Sequence, residues 1–474
     1  MRLASQLVSR FVRFYSQDVL AHVPHPKGLP VIGTMLDLIK AGGGPKLHLY
    51  VDMRHRQLGS VFHETLGPVS AVFISDPTDM RRAFASEGKY PIHLLPDAWV
   101  LYNKLYDKER GLFFMHGPEW LKYRHIMNKL LFKNERTKGQ LRSYKVATSD
   151  FVKEWSRIGA SPVENAVGDL YNLSISYVIA TLLGSSYPEH RDKLKSEVNQ
   201  LSTIVYSIFE ESAKLNLLPA KIAATFKLPV WQRFVSSVST TLTSAEKLVN
   251  QSFPLAAEDG ILLQMEKEGI TRDKIVSIVV DLILAAADTT PYTLLWALYL
   301  LGRNPEVQNE VAQDILKGTN DPEQWLNNPF IRAVMQETLR LYPVAPFLTR
   351  ELAVDCEMSG YNIPAGTMVI MSLYTSGHSE AHFPSPEKFW PSRWLRSGED
   401  GRLRGVNDKS ASLPFAIGGR ACIGRRVAMA QIGLTLSEIL SQFHVEVKKE
   451  VDMVLMLVTV PSENIPLFLT QRKL

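Results

Sequence analysis

"LPFAIGGRACIGRRVAMAQ" (Leu413–Gln431) holds one of only two cysteines in a chain of 474 residues. Cys422 stands among glycines and arginines, directly ahead of a run with helical apolar spacing. A thiolate needs positive surroundings or N–H donors, and the start of a helix supplies both. Gly418 and Gly424 permit tight turns and let a flat cofactor lie on the backbone with no Cβ in the way. Arg420, two residues from the cysteine, offers a guanidinium suited to a carboxylate on that cofactor. Phe415 would shield the sulfur from water. An isolated cysteine in a glycine-rich turn reads as a small buried hydrophobe. In the pattern F-x-x-G-x-R-x-C-x-G it reads as a metal ligand.

Composition bounds the rest. Hydrophobic residues make up 45% and charged ones 21%, which is globular rather than disordered. The interior has no Gly/Ser or Pro-rich linker, no repeat and no low-complexity tract, so one large compact unit over 16–474 is expected. A net charge of +5 suits a basic patch for an acidic partner or a membrane surface. No Arg/Lys block or aromatic RNA motif points to nucleic acid. Two cysteines exclude a disulfide scaffold and favour a reducing compartment. At the N-terminus, Arg2, Arg10 and Arg13 accompany Ser5 and Ser9, with no acid before Asp18. Leu3, Leu7, Phe11 and Phe14 fall on the opposite helical face. An amphipathic, acid-free, Arg- and Ser-rich start has the pattern of a mitochondrial leader, here residues 1–15, with processing before Ser16. Its apolar positions are too interrupted to span a bilayer.

Along the body, Ser60–Leu66 and Ala71–Ile74 around Gly67-Pro68 predict a hairpin. Asp76 to Leu341 reads almost entirely as helix, followed by short strands near Ala353–Asn362 and Met368–Leu373. A last helix is expected from Gly424, with Ala428, Ile432, Leu436, Ile439 and Phe443 on one face, and then a closing hairpin. The fold class is mainly α with a small β portion.

Several segments together resemble the cytochromes P450, from about Pro24 to the C-terminus. The cysteine pattern is similar to their thiolate–haem signature, which implies Cys422 as axial ligand of haem b. "QETLRLYP" supplies Glu337 and Arg340, which share a helical face and can pair. The resemblance makes them the E-x-x-R pair of helix K, completed by Arg393 of "FPSPEKFWPSRWL" in a buried structural network. "HGPEWLKYRHIM" resembles the helix C pattern through Trp120 and Arg124, which implies contact with a haem propionate. Arg350 in "PFLTREL" stands where the family places another propionate-binding arginine.

"DKIVSIVVDLILAAADTTPYTLLWALYLLGRNPE" looks like helix I, which crosses over the haem. As a membrane span it would carry Asp281 and Asp288 in its middle, which is costly; a helix inside a large protein fits better. Within it "AAADTT" (Ala285–Thr290) is similar to the family's A-G-x-D-T-T. The resemblance implies that Asp288 and Thr289 form the acid–alcohol pair handling protons for dioxygen cleavage. Ala286 replaces the usual glycine, and Pro291 is expected to kink the helix and free the Ala287 carbonyl.

The leader-like start, the lack of a microsomal-type anchor, and Arg425-Arg426 behind the haem loop resemble the mitochondrial class. That class implies electrons from an adrenodoxin-like ferredoxin with its NADPH reductase, docking at Arg332, Arg425 and Arg426. At the second basic position of helix K stands Gln336 instead. Residues 90–115, 201–209, 278–286, 344–347 and 458–465 are expected to line an apolar pocket for a rigid lipid. Leu217–Trp231 could dip into a membrane surface, consistent with peripheral contact on the matrix side of the inner mitochondrial membrane. "FAIGGRACIGRRVA" most resembles the Shadow-type ecdysteroid 2-hydroxylases of arthropods. Ecdysteroid 22- and 20-hydroxylases and a xenobiotic monooxygenase are the neighbouring readings. A haem–thiolate isomerase or dehydratase, which needs no redox partner, is a reading of another class, and Asp288-Thr289 argues against it. A non-enzymatic haem sensor ranks lower still.

Overall fold

The structure is a computed structural model and describes residues 20–30, 32–134, 138–159, 161–215, 218–318, 321–397 and 401–472. The leader expected over 1–15, with its processing position before Ser16, lies outside the described residues. Eight helices carry the argument: α1 (Gly117–Asn134), α2 (Lys138–Ser156), α3 (Ala166–Leu183), α4 (Tyr187–Lys214), α5 (Pro229–Ser252), α6 (Arg272–Arg303), α7 (Pro329–Leu341) and α8 (Arg425–Gln442). One apolar core runs through them, from Ala98 to Leu467.

α6 is the axis. Ile278, Ile283, Leu294, Trp296 and Leu298 are inaccessible to solvent, and each such side chain contributes about 1.5–3 kcal/mol by leaving water. Length and composition alone would let α6 cross a membrane, but most of its apolar stretch is buried in protein. Its acids are accommodated. Asp281 accepts from Arg110 Nε at 2.8 Å, Arg110 Nη2 at 2.5 Å and the Gly111 N–H at 2.7 Å. The helix continues through Pro291, which has no N–H to offer the Ala287 carbonyl, as expected. α3 packs along this stretch, and Ser174 Oγ donates to the Ala286 carbonyl at 2.8 Å, next to the one the proline frees.

The β portion is small. β1 (Val61–Leu66) and β2 (Val69–Ile74) form the expected hairpin, with Val61 opposite Ile74. A strand missed in the sequence, β3 (Phe347–Glu351), joins them through β6 (Met368–Ser372) in the order β1-β2-β6-β3. Between β3 and β6, one strand was expected near Ala353–Asn362. The chain instead folds back there as β4 (Cys356–Met358) and β5 (Tyr361–Ile363). Ser359 and Gly360, at φ 46 and 84, form the two-residue turn that reverses it.

α8 starts at Gly424 as its cap, but it is not one-sided. Gln431, Thr435, Ser437 and Glu438 are buried along with the apolar residues, because α2, α6 and α7 pack around it. Glu438 is held by Lys145 Nζ at 2.8 Å and Ser149 Oγ at 2.9 Å. The chain's end splits in two. β8 (Met453–Leu455) pairs with β9 (Thr459–Pro461), while β10 (Phe468–Gln471) returns to β7 (Phe443–Glu446).

Candidate active site

Cys422 sits in a loop that doubles back on itself. Its N–H donates to the Phe415 carbonyl at 2.8 Å, and Ala416 and Gly418 take positive φ of 54 and 81. The side chain is reachable from a concave space, yet the protein atoms around it push the thiol up from its ordinary value. The N–H groups of Gly424 and Arg425, with the charges of Arg124 and Arg425, pull it back. These donors lie at the N-terminus of α8, where the helix dipole also favours a thiolate. Phe415 is half-buried beside the loop, with the Arg425 guanidinium 5.5 Å from its ring centre.

The two expected glycines differ in role. A Cβ on Gly418 would stand 2.2 Å from Glu87 Oε1, so this position is small to admit a carboxylate rather than a cofactor. A Cβ on Gly424 would meet no protein atom within 4 Å, which leaves the backbone there open to a flat group.

Three of the predicted arginines converge beside this loop. Arg420 stacks over Trp120, 4.1 Å from its ring centre. It spends its donors on backbone carbonyls of Pro91, Leu112 and Met115, at 3.1, 3.0 and 2.7 Å. Arg124 Nη2 donates to the Ala421 carbonyl at 2.5 Å. Arg350 Nε pairs with Glu87 Oε2 at 2.6 Å, and Glu87 Oε1 accepts the Gly419 N–H at 2.5 Å. One carboxylate thus stands against the charges of Arg350 and Arg420, with Arg124 close to Arg420. Burial first, then Arg350 and Arg124, lower Arg420 to about 10. His93, buried against Arg420 and Arg350, is lowered to about 3. Arg124 Nε, Arg350 Nη2 and both ring nitrogens of His93 have no hydrogen-bond partner although buried. The orphan guanidinium N–H groups, with one N–H of the neutral His93 ring, sit in a net-positive chamber that calls for an anion with carboxylate-like oxygens. Glu87 and His93 belong to this chamber and were missed in the sequence.

On α6, Ala285 and Thr289 are accessible one turn apart, although Leu284, Ala287 and Asp288 beside them are buried. The expected acid–alcohol pair is not brought together. Thr289 Oγ1 donates to the Ala285 carbonyl at 2.9 Å. Asp288 turns to α3 instead, accepting from Tyr171 Oη at 2.5 Å, and burial raises it to about 7. Successive helical residues point about 100° apart, so the two side chains cannot share one face.

Glu337, Arg340 and Arg393 meet, each fully buried. Glu337 accepts from Arg340 Nη2 at 2.8 Å and from Arg393 Nε at 3.0 Å.

The profile of the family described as Cytochrome P450 matches residues 23–468. The chain is a cytochrome P450. Among its relatives, the mitochondrial cytochrome P450 315a1 of Drosophila melanogaster is 37% identical over 478 residues, covering 95% of this chain and 88% of the relative. Cytochrome P450 10 of Lymnaea stagnalis is 30% identical, covering 89% and 80%. The mitochondrial sterol 26-hydroxylase of Rattus norvegicus is 27% identical, covering 96% and 89%. The solved structure of a retinoic acid-bound cyanobacterial P450, CYP120A1, shares the fold with a TM-score of 0.75, covering 95% of this chain and 99% of that one, at 21% identity.

As a P450 the protein is a monooxygenase carrying haem b. Its residues fit that group. Cys422 offers the sulfur, Gly424 leaves the backbone open, and the chamber of Arg124, Arg350, Arg420 and His93 suits two propionates. On the proximal side, Arg332 and Arg426 line one shallow groove of about 180 Å³ together with Glu323. Arg332 is exposed and donates to the Leu326 carbonyl and to Asn327 Oδ1, and Gln336 lies exposed one turn further along α7. Arg425 is exposed beside the same helix start.

Proposed function

We propose that this P450 hydroxylates a lipophilic steroid, an ecdysteroid at C-2, in ecdysone and 20-hydroxyecdysone biosynthesis. The observation that carries the reading is the 37% identity to a mitochondrial arthropod P450 over nearly the whole chain. The likeness of the Cys422 loop to Shadow-type enzymes supports the position on the ring, and the sterol 26-hydroxylase relative supports the substrate class. Names of the relatives support a mitochondrial location, placed here on the matrix side of the inner membrane. Exposed Ile222 and Phe226, flanked by Lys221 and Lys227, suit peripheral contact with that membrane.

Haem, when bound, supplies dioxygen activation, with the Cys422 thiolate favouring O–O cleavage. The protein's residues do the rest. Arg124, Arg350 and Arg420 with His93 would hold the propionates, with Trp120 stacked behind Arg420. Thr289 presents its hydroxyl on the accessible strip of α6, and Asp288 stores a proton one residue away, out of contact with water. Glu337, Arg340 and Arg393 hold the chain that leads into the loop, at Gly377, Pro384 and Gly405.

Purified protein with ferredoxin, its reductase and NADPH should consume O₂ and convert a 2-deoxyecdysteroid to the 2-hydroxy product. A product hydroxylated at C-20 or C-22 would move the assignment to those neighbours. Rearrangement of a peroxide with no redox partner would replace the oxygenase reading altogether.

Electrons are assigned to an adrenodoxin-like ferredoxin that docks over Arg332, Arg425 and Arg426. An acidic partner is steered to clustered cations, and the attraction is screened within about 8–10 Å at physiological salt. Arg332→Glu should raise the apparent ferredoxin constant roughly tenfold while steroid binding spectra stay unchanged. Gln336→Lys should lower it, and both shifts should shrink at high salt. Superimposable ferredoxin titrations for all three proteins would place the electron inlet elsewhere.

A further inference from the structure

A cavity of about 1160 Å³ lies outside the arginine chamber, between α2, α3, α4 and the β8–β9 hairpin. Several residues expected to line the substrate pocket, among them Ser202, Thr203 and Val460, turn to this cavity. Its wall mixes apolar side chains with many polar ones. Asn172 Nδ2 donates to Asn199 Oδ1 across it, joining α3 to α4, and Ser202 and Thr203 add hydroxyls. A space this large with so many polar partners holds water.

Tyr171 and Tyr292 form its inner wall, and Tyr206, partly exposed, stands on α4. The Tyr171 hydroxyl reaches inward from that wall to Asp288 Oδ1 at 2.5 Å. Asp288 itself is not part of the lining. Its other oxygen, Oδ2, is buried and has no partner. Asp288 is thus hydrogen-bonded to the cavity wall through Tyr171, whose hydroxyl also meets that of Tyr292, and keeps its second oxygen for another partner.

We propose that Tyr171 is the positioning and relay residue through which Asp288 takes up protons from water in this cavity. Tyr171 gives its hydroxyl proton to Asp288 Oδ1 as it takes one from a protonated water of the cavity, which is left as neutral water; the carboxylate becomes the acid, one proton moves inward and no electrons are exchanged. The transfer is concerted, because burial and the Asp288 charge push the phenol far above its usual value and disfavour a free phenolate. Asp288 is suited to the task. Burial raises it to about 7, so at neutral pH it both holds and releases a proton. Titratable groups that interact with it, among the described residues, are Tyr171 of α3, Tyr206 of α4 and Tyr292 of α6 itself. The proposal rests on the reading of Asp288 as the acid that serves oxygen cleavage.

The test follows the protonated-carboxyl band of the ferric, haem-loaded protein by infrared difference spectroscopy, with Asp288→Asn identifying the band. In Tyr171→Phe the carboxylate loses its one hydrogen bond, so the band should titrate at higher pH than in wild type. Its exchange from H₂O to D₂O should slow by roughly tenfold or more. Ser202→Trp, which places a bulky apolar ring in the cavity but leaves Tyr171 in place, should slow exchange without moving the midpoint. In turnover, Tyr171→Phe should lower kcat with a larger solvent isotope effect and an unchanged steroid KM. Wild-type exchange rates in both Tyr171→Phe and Ser202→Trp would overturn the route while leaving the role of Asp288 intact. Unchanged turnover in Asp288→Asn would instead remove the reading beneath it.

Discussion

Replacing Cys422 by serine is expected to abolish the long-wavelength band of the reduced carbon monoxide complex and with it all turnover. The band requires a thiolate on the iron, and a serine hydroxyl at this site would stay protonated and hard. The loop that holds Cys422 is built for a sulfur anion. The N–H groups of Gly424 and Arg425 and the charges of Arg124 and Arg425 all favour the ionised form. Loss of activity should therefore exceed the roughly 10–100-fold cost typical of changes around a metal ligand. Cys356 is the control. It lies buried in β4, paired with Ile363, within the smaller core that packs on the sheet. Cys356→Ala should leave the band at full height. A band surviving in Cys422→Ser would mean that the ligand had been misassigned.

The loop and α7 were legible because their chemistry is local. Phe415, Gly418, Arg420, Cys422 and Gly424 lie within ten positions, and Glu337 and Arg340 are one helical turn apart. Glu87 was not legible. In "FASEGKYP" it looks like an ordinary surface acid, and its partners Arg350 and Gly419 lie 263 and 332 positions away. Only the demand of a buried guanidinium for a carboxylate hints at such a residue. His93 escaped for the same reason, since a lone histidine among apolar residues carries no spacing. β3 was hidden because "FLTRE" mixes two charges into a short strand, and Arg350 is buried there only because Glu87 meets it. Asp288-Thr289 was read as a pair from the likeness of AAADTT to a family motif, whereas helical geometry sends the acid to Tyr171.

Removal of Glu337 should have the second large effect, on folding rather than on chemistry. Its two oxygens accept five donors: Arg340 Nε and Nη2, Arg393 Nε, the Trp390 N–H and Trp394 Nε1, all between 2.8 and 3.0 Å. Both guanidiniums are fully buried, and their remaining contacts are backbone carbonyls such as Gly377, Pro384 and Gly405. Carbonyls satisfy the hydrogens but do not cancel the charge. Glu337→Ala would strand two buried cations, where breaking a single buried pair already costs about 3–5 kcal/mol. A folded domain has only about 5–15 kcal/mol in reserve, so little holoprotein should accumulate. Glu337→Gln keeps the shape and part of the hydrogen bonding but not the charge. It should fold in lower yield, with a depressed Tm and a carbon monoxide band that fades on warming before that of wild type. Yield and Tm are read on the haem-loaded proteins side by side. A Glu337→Ala protein with wild-type yield and Tm would show that the carbonyls alone can hold Arg340 and Arg393, and that the loop above Cys422 does not depend on the carboxylate.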